Sequence, residues 1–270
     1  MKSLLEGVVF DVDGTLADTE EIHRQAFNLA FEQFELDWNW TPTLYEELLR
    51  ISGGRERITY YGADLRANFH SDAEFNNYVL NIHGVKTEIY RDLLHSGGVK
   101  LRPGVERLFE ECRRENMILG IATASKYANL KTLLDQNLGS EWPTWFETIK
   151  SCDSVDEKKP SPAVYLAVLA DLPIPASRCI AFEDTVNGLN SATGAGICTI
   201  VTTHFFTRNH HFPNAGLVVD HLGEPDQPFK VSAGDAGEHN MVTLKLMNQV
   251  LRESHSRNKN LSKPESFASA

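Results

Sequence analysis

The feature that most constrains the fold is the alternation of short apolar runs with amphipathic helical patterns. Apolar runs of this length indicate buried strands, and the helical patterns between them are long enough for right-handed crossovers. The expected fold is therefore α/β, with a doubly wound parallel sheet. The predicted strands are Leu5–Phe10, Met117–Thr123, Trp145–Lys150, Arg178–Phe182 and Ile197–Val201, with Gly216–Asp220 as a sixth candidate. The predicted helices are Val105–Asn116, Tyr127–Asn137, Pro162–Asp171, Val186–Gly194 and Met241–Glu253.

One long segment interrupts this alternation. From about Asp18 to His95 the sequence has helical patterns and no strand pattern, and the Gly97-Gly98 pair marks a return point. We therefore predict an all-α domain at 18–97, inserted into a core made of residues 1–17 and 98–253. The polar tail, residues 254–270, is expected to be disordered.

Charge and composition exclude several classes of partner. The formal net charge of −11 argues against a nucleic acid or an anionic membrane as the main partner. The longest apolar stretch, near Met117–Ala124, is too short to span a bilayer, and the stretch Met1–Asp13 turns acidic too early for a secretory signal, so we expect no targeting segment there. We expect a cytoplasmic protein, or one in a plastid-like compartment in a eukaryote. The four cysteines lack CxxC spacing and favour buried free thiols over metal ligands or disulfides.

Two acids follow the first predicted strand directly, in the run Asp11-Val12-Asp13-Gly14-Thr15. Ligands of α/β proteins collect at the carboxyl ends of strands, so both carboxylates have the expected place for a site. Close carboxylates repel each other, and a divalent cation relieves that repulsion; oxygen ligands select Mg²⁺. Taken alone, the motif is explained equally well by a solvated Asp-Gly turn as by a metal site.

Candidate phosphate ligands follow the second and third predicted strands. Thr123, Ala124 and Ser125 supply hydroxyls and amides that can bind a phosphoryl oxygen, although Thr and Ser are also ordinary helix caps. Lys159, within Lys158-Lys159-Pro160, can offset charge on a transferred phosphoryl group, although loop lysines are usually solvated.

The fourth predicted strand ends in a second acidic pair. Glu183 and Asp184 can complete a metal site with the first pair, or they can simply cap the following helix. Farther on, the loop Thr203–Pro213 contains His204, His210 and His211. Their irregular spacing favours a solvated surface over a zinc site.

Four motifs in this order, each at a predicted strand end, make the chain resemble the haloacid-dehalogenase (HAD) superfamily. The resemblance covers about residues 5–220 and implies a Rossmann-like HAD core. It implies that Asp11 attacks phosphorus to form an aspartyl phosphate. Asp13 would then protonate the leaving oxygen and later activate water. Thr123 and Lys159 would hold the phosphoryl oxygens.

The same resemblance implies Mg²⁺ as cofactor. The ion would be held by the Asp11 carboxylate, the Asp13 backbone carbonyl and Asp184, with Glu183 in or near the surrounding shell. Dehalogenases of the superfamily lack the second acid, and the P-type ATPases need membrane helices. The resemblance therefore implies a phosphoric monoester hydrolase.

The inserted domain would be the family's cap, which supplies substrate contacts. It resembles the cap of the CbbY-type phosphatases, which implies xylulose 1,5-bisphosphate as the sugar phosphate substrate. Arg55, Arg57 and Lys86 would receive the second phosphate, and Arg55 stands where the family usually has lysine. The candidate cap residues are Glu20, His23, Arg55, Arg57, His83 and Lys86.

Three other functions stay open. A β-phosphoglucomutase-type phosphotransferase would share the aspartyl phosphate and pass the group to a sugar hydroxyl. Phosphoglycolate phosphatase would use the same chemistry on a smaller substrate. A catalytically inactive sugar-phosphate-binding module is the non-enzyme alternative, and the intact Asp11, Asp13, Thr123, Lys159 and Asp184 set argues against it. A capped enzyme of this size can act as a monomer, which we favour.

Overall fold

The computed structural model describes residues 3–261, and one seven-stranded sheet forms its centre. Numbered along the chain, the strands are β1 Gly7–Phe10, β2 Ile118–Ala122, β3 Thr148–Lys150, β4 Cys179–Glu183, β5 Cys198–Thr202, β6 Leu217–Val219 and β7 Val231–Gly234. Their spatial order is β3-β2-β1-β4-β5-β6-β7, and all neighbours are parallel except β6 and β7. The predicted parallel sheet is confirmed, including the sixth candidate strand.

Nine α-helices accompany the sheet in the described residues. They are α1 Glu20–Gln33, α2 Pro42–Leu48, α3 Gly54–Tyr61, α4 Asp72–Gly97, α5 Val105–Arg114, α6 Tyr127–Leu138, α7 Ala163–Asp171, α8 Val186–Gly194 and α9 Leu244–Leu261. All five helices predicted for the core are present, and the predicted bounds of α8 are confirmed.

Strand β1 lies inside the sheet, between β2 and β4, and both of its faces are buried. Val8 and Phe10 pack into one apolar cluster and Val9 into another, on the opposite face of the sheet. Such doubly covered strands are apolar throughout, as the run Gly7–Phe10 is. The parallel register brings the carboxyl ends of β1, β2, β4 and β5 to one edge. The motif residues that follow these strands are therefore neighbours.

Two predictions about the carboxyl-terminal part need correction. Strand β7 was not predicted, because its four residues are exposed and carry no apolar pattern; pairing with β6 alone makes it a strand. The tail expected to be disordered from residue 254 is helical through Leu261, because α9 continues past its predicted end. Residues 262–270 of that predicted tail lie outside the described residues.

The inserted segment is helical, and its interior is aromatic. Helices α1 to α4 enclose a cluster built on Phe27, Phe31, Trp40 and Tyr45, all fully buried. Helix α4 ends before Gly98, whose φ of 58° is the left-handed conformation that glycine adopts easily. The cap boundaries 18–97 remain our proposal.

The remaining structural expectations concern cysteines and membranes. All four cysteines are free; Cys112 and Cys179 are buried, and Cys152 and Cys198 are partly buried. Within residues 3–261, none of the helices combines the length and apolarity that crossing a bilayer requires.

Two identical substitutions test the importance of the buried sheet. Val8→Ala in β1 should lower the free energy of unfolding by about 2 kcal/mol, because the deleted methyl groups lie in a fully buried cluster. Val231→Ala in the exposed strand β7 should change it by less than about 0.5 kcal/mol. Urea unfolding measures both, and equal losses would contradict the layered core.

Candidate active site

A cavity of about 490 Å³ lies between the carboxyl edge of the sheet and the helices of the inserted segment. The structure brings together at this cavity every candidate residue named from the sequence. They are Asp11, Asp13, Glu20, His23, Arg55, Arg57, His83, Lys86, Thr123, Ala124, Ser125, Lys159, Glu183 and Asp184. The cavity therefore joins the four strand-end motifs to the cap residues.

The Lys159 ammonium holds the buried acids together. Its Nζ donates to Asp11 Oδ1 at 2.7 Å, to Glu183 Oε1 at 2.5 Å and to the Ala122 carbonyl at 3.0 Å. The Tyr165 hydroxyl donates to the same Glu183 oxygen at 2.6 Å. All donor positions of the ammonium thus point to oxygens, and the solvated-loop alternative for Lys159 is wrong.

Three carboxylates form a cluster that suits a hard cation. Oxygens of Asp11, Glu183 and Asp184 lie within 4.8 Å of one another, and all three side chains are buried. Burial raises the pKa of Asp11 to about 7 despite the nearby Lys159 ammonium, and the Glu183 charge adds to this rise. Burial likewise raises the pKa of Asp184 to about 6. Buried oxygen donors that resist ionisation together fit a divalent ion such as Mg²⁺.

The Asp13 carboxylate is not a member of that cluster and is surrounded by donors. It accepts hydrogen bonds from the hydroxyls of Ser125, Thr19 (2.7 Å) and Tyr90 (3.3 Å), and His23 Nε2 lies 3.5 Å from Oδ1. Burial opposes ionisation of Asp13, but the His23 contact and the hydroxyls outweigh it and hold the pKa of Asp13 below its usual range. The two acids of the first motif therefore have opposite environments.

The phosphate-binding candidates after β2 are also engaged within the protein. The Thr123 amide donates to the Lys150 carbonyl at 3.0 Å, and the Ser125 amide donates to Thr123 Oγ1 at 3.0 Å. The amides of these two residues are therefore already hydrogen-bonded within the protein. The Thr123 and Ser125 hydroxyls still line the cavity beside Asp13.

Lys86 needs a correction. It was expected among the cations at the distal end of a substrate, but its side chain is buried and its Nζ lies 2.6 Å from His23 Nδ1. The ammonium also lies over the Phe27 and Tyr90 rings, and burial lowers the pKa of Lys86 to about 7. The helical spacing of His83 and Lys86 predicts that both lie on one face of a helix, but it does not predict how deeply the Lys86 side chain is buried.

The other cap candidates divide into an inner and an outer group. Glu20 Oε2 accepts from the Tyr45 hydroxyl at 2.8 Å, and that hydroxyl also accepts from Arg57 Nη1 at 3.2 Å. Arg55, whose side chain is 52% exposed, has an ion pair with Glu56 at 3.5 Å. Burial, with help from the nearby Lys86 charge, lowers the pKa of His83 to about 4, so its imidazole is neutral at pH 7. Arg55 is the cap candidate with the most accessible cation.

Sequence reasoning missed His204. We expected the loop Thr203–Pro213 to be solvated surface, but the His204 side chain is 1% exposed and its Nε2 lies 3.0 Å from Asp184 Oδ2. The signal that was available is position: His204 is the second residue after β5, at the same edge of the sheet as the four motifs.

A link between core and cap was also missed. Lys158 Nζ lies 2.5 Å from Glu56 Oε1. Lys158 and Lys159 are adjacent in the chain, yet one contacts the cap and the other contacts the buried acids.

Comparisons with known proteins agree with this geometry. Residues 8–202 match the family model of haloacid dehalogenase-like hydrolases. Protein CbbY, plasmid, of Cupriavidus necator is 42% identical over 224 residues, which is 83% of this chain and 88% of that protein. A mutant CbbY from Rhodobacter sphaeroides, solved with xylulose-(1,5)bisphosphate, is 39% identical, with a TM-score of 0.72 over 80% of this chain and 94% of that one. The β-phosphoglucomutase of Clostridium difficile, at 21% identity, shares the fold, with a TM-score of 0.72 over 94% of this chain and all of that one.

Removing the Lys159 cation should destabilise the protein in a pH-dependent way. Lys159→Met leaves two buried acids without their cation and should lower the free energy of unfolding at pH 8 by about 3–5 kcal/mol. The pKa of Asp11 is already raised from 3.8 to about 7, and losing the ammonium raises it further. The folded state then binds more protons than the unfolded state, so stability falls as pH rises from about 4 through the folded pKa. The deficit should therefore shrink at pH 5.

A matched substitution controls for the loss of a lysine. Lys150 pairs with Asp171 at 2.7 Å on a partly exposed surface. Lys150→Met should cost less than about 1 kcal/mol, with little dependence on pH. Urea unfolding at both pH values compares the variants, and a pH-independent loss in Lys159→Met would contradict the charge-neutralising role.

Proposed function

The chain belongs to the haloacid dehalogenase-like hydrolase family, and on that premise we propose that it is a Mg²⁺-dependent phosphatase of a small sugar phosphate, with xylulose 1,5-bisphosphate as its main substrate. As a member with phosphatase relatives, the chain is a phosphoric monoester hydrolase. One observation carries the finer proposal. The Asp11 carboxylate, held by Lys159, lies in the same cavity as an accessible cap cation, Arg55.

In the proposed mechanism Asp11 is the nucleophile. The Lys159 hydrogen bond fixes the Oδ1 side of the carboxylate, and the side chain lines the cavity. Attack on phosphorus would form an aspartyl phosphate and release the sugar hydroxyl. Lys159 and the Thr123 hydroxyl would then balance charge on the phosphoryl oxygens.

Asp13 moves the proton in this proposal. A phosphate entering the cavity brings negative charge, which raises the pKa of Asp13 and favours a protonated carboxyl that can protonate the leaving oxygen. Once the sugar has left, the donors around Asp13 favour its ionised form again. That form is the base needed to activate water for hydrolysis of the intermediate.

Asp11 and Asp184 would hold Mg²⁺ through their carboxylates, the Asp13 carbonyl would be a further ligand, and Glu183 would lie close by. A bound divalent ion supplies positive charge that stabilises the transferred phosphoryl group. Glu183 already shares Lys159 with Asp11, so its role is to place that ammonium.

The bisphosphate is proposed from the cap cations. A second phosphate needs a receiver away from the reacting end, and an arginine fork binds phosphate through two parallel hydrogen bonds. Arg55 is exposed enough to do so, and Arg57 lines the same wall with its guanidinium tied to the Ile51 carbonyl. Lys86, by contrast, is placed to orient His23 near Asp13. The related CbbY structure contains xylulose-(1,5)bisphosphate, which supports this substrate class.

Phosphoryl transfer to a sugar is the second candidate. The buried Lys86–His23 pair beside Asp13 offers a polar wall for a sugar hydroxyl that would replace water as acceptor. A hexose monophosphate converted to its isomer without phosphate release would identify this reaction.

A panel assay tests the proposed function directly. Sugar bisphosphates, hexose monophosphates, phosphoglycolate and p-nitrophenyl phosphate are each incubated with the protein and Mg²⁺, and phosphate release is measured. Activity should be highest on the pentulose bisphosphate, vanish in EDTA and return with Mg²⁺. Asp11→Asn should abolish turnover, because an amide is a poor nucleophile and a poor Mg²⁺ ligand. Activity of that variant within tenfold of the wild type would contradict the aspartyl-phosphate mechanism.

Arg55 should affect only substrates with a second phosphate. Arg55→Ala should lower kcat/KM for the bisphosphate by about 2 kcal/mol, roughly thirtyfold, because a charged hydrogen bond to the distal phosphate is lost. Hydrolysis of p-nitrophenyl phosphate should change little. Arg66→Ala is the matched control, since Arg66 is equally exposed on the cap and pairs with Asp72 instead of lining the cavity. Proportional losses on both substrates would remove Arg55 from substrate binding.

A further inference from the structure

The loop after β5 contacts both the acidic cluster and the cap. We call residues Thr203–Thr207 the latch loop. Its His204 contacts Asp184 at the sheet edge, and its Phe206 lies in the aromatic cluster of the cap. One short segment of the core thus contacts two parts of the molecule that belong to different chain segments.

The His204 ring is oriented so that one of its nitrogens contacts Asp184. Its Nδ1 accepts from the Phe206 amide at 3.4 Å, and its Nε2 lies 3.0 Å from Asp184 Oδ2. An ionised carboxylate can only accept, so Nε2–H is the donor in this contact. The His204 amide and carbonyl are fixed by Thr207, through bonds of 3.1 and 3.0 Å. The imidazole therefore fixes which way the Asp184 carboxylate faces.

Phe206 links the same loop to the cap. Its ring is 1% exposed and meets the Tyr45 ring edge-on, with ring centroids 5.4 Å apart. Tyr45 in turn donates to Glu20, which lines the cavity. A cap that moves away from the core exposes the Phe206 ring, because its apolar neighbours belong to the cap cluster.

The first motif is packed tightly against this arrangement. Gly14 has a φ of 82°, and a Cβ there would collide with the Asp184 carboxylate and crowd His204 Nε2. Arg102 donates to the Gly14 carbonyl and, at 2.6 Å, to the Thr203 carbonyl. One guanidinium thus links the loop after β1 to the start of the latch loop at Thr203, whereas the part of the latch loop that carries Phe206 is held by the cap cluster.

We propose that the latch loop couples cap closure to order in the acidic cluster: seating Phe206 in the cap fixes the His204 imidazole, which orients Asp184 for a divalent cation. His204 is then a positioning residue, and Phe206 is the contact through which the cap acts on it. This coupling rests on the Mg²⁺ site of the proposed function. It adds an energetic coupling between Mg²⁺ binding and cap closure. Mg²⁺ binding at the acidic cluster does not by itself require this coupling.

Equilibrium Mg²⁺ binding, measured by isothermal titration calorimetry without substrate, tests the positioning role. His204→Gln and His204→Asn both supply an amide, but only the longer Gln reaches the place of Nε2. We expect His204→Asn to weaken Mg²⁺ binding by ~10-fold or more, the usual effect of losing a partner of a metal-binding carboxylate, and His204→Gln to restore most of it. Equal affinities in both variants and the wild type would overturn the role of His204.

The cap contact is tested in the same titration. Phe206→Ala should weaken Mg²⁺ binding although its side chain lies in the cap cluster, whereas the control Phe205→Ala should not, because Phe205 is 49% exposed beside Arg208. Thermal unfolding shows whether each variant is folded, and Phe206→Leu replaces Phe206→Ala if the latter is not. Unchanged Mg²⁺ affinity in a folded Phe206 variant refutes the coupling.

Coupling is reciprocal, so Mg²⁺ binding should also reduce local opening of the cap. In the wild type, Mg²⁺ should slow hydrogen exchange of the amides of α2, where Tyr45 lies, and this effect should disappear in His204→Asn. A wild type that binds Mg²⁺ with no change in α2 contradicts the proposal alone. A wild type that shows the coupling but hydrolyses no sugar phosphate contradicts only the proposed function, and one that binds no Mg²⁺ contradicts both.

Discussion

The arrangement of the site depends on concentrating buried carboxylates at one edge of the sheet. Asp11, Glu183 and Asp184 are brought together by the parallel register of β1 and β4, and burial makes their joint ionisation unfavourable. Lys159 and His204 each face one part of this cluster, so the loops that carry them are fixed by charge as well as by packing. The same unfavourable electrostatics make the cluster receptive to a divalent cation.

Sequence reasoning succeeded where a residue's role follows from its place on a strand. A buried apolar strand followed by Asp11 must present that side chain at the carboxyl edge, and the same logic located Thr123 and Asp184. These expectations needed only the strand order along the chain, and all of these side chains line one cavity.

The sequence was less informative about how deeply side chains are buried and about contacts between residues that are distant in the chain. Helical spacing put Lys86 on the cavity face, but its burial against Phe27 and its contact with His23 depend on how α1 and α4 pack. His204 looked like one of three loop histidines, because the partner that buries it, Asp184, is 20 residues away. Strand β7 formed by pairing alone, which no local pattern records. The missed features are therefore those created by tertiary contacts.

The separation of the buried charges in the core from the accessible cap cation has an evolutionary consequence. Arg55 lies on α3 and is half exposed, whereas Asp11 and Lys159 are buried in the loops that follow β1 and β3. A substitution at position 55 changes neither the sheet nor the buried charges. In descendants of such a chain, mutations in the inserted segment can therefore change the charge that lines the outer part of the cavity, while the buried charges of the core stay unchanged.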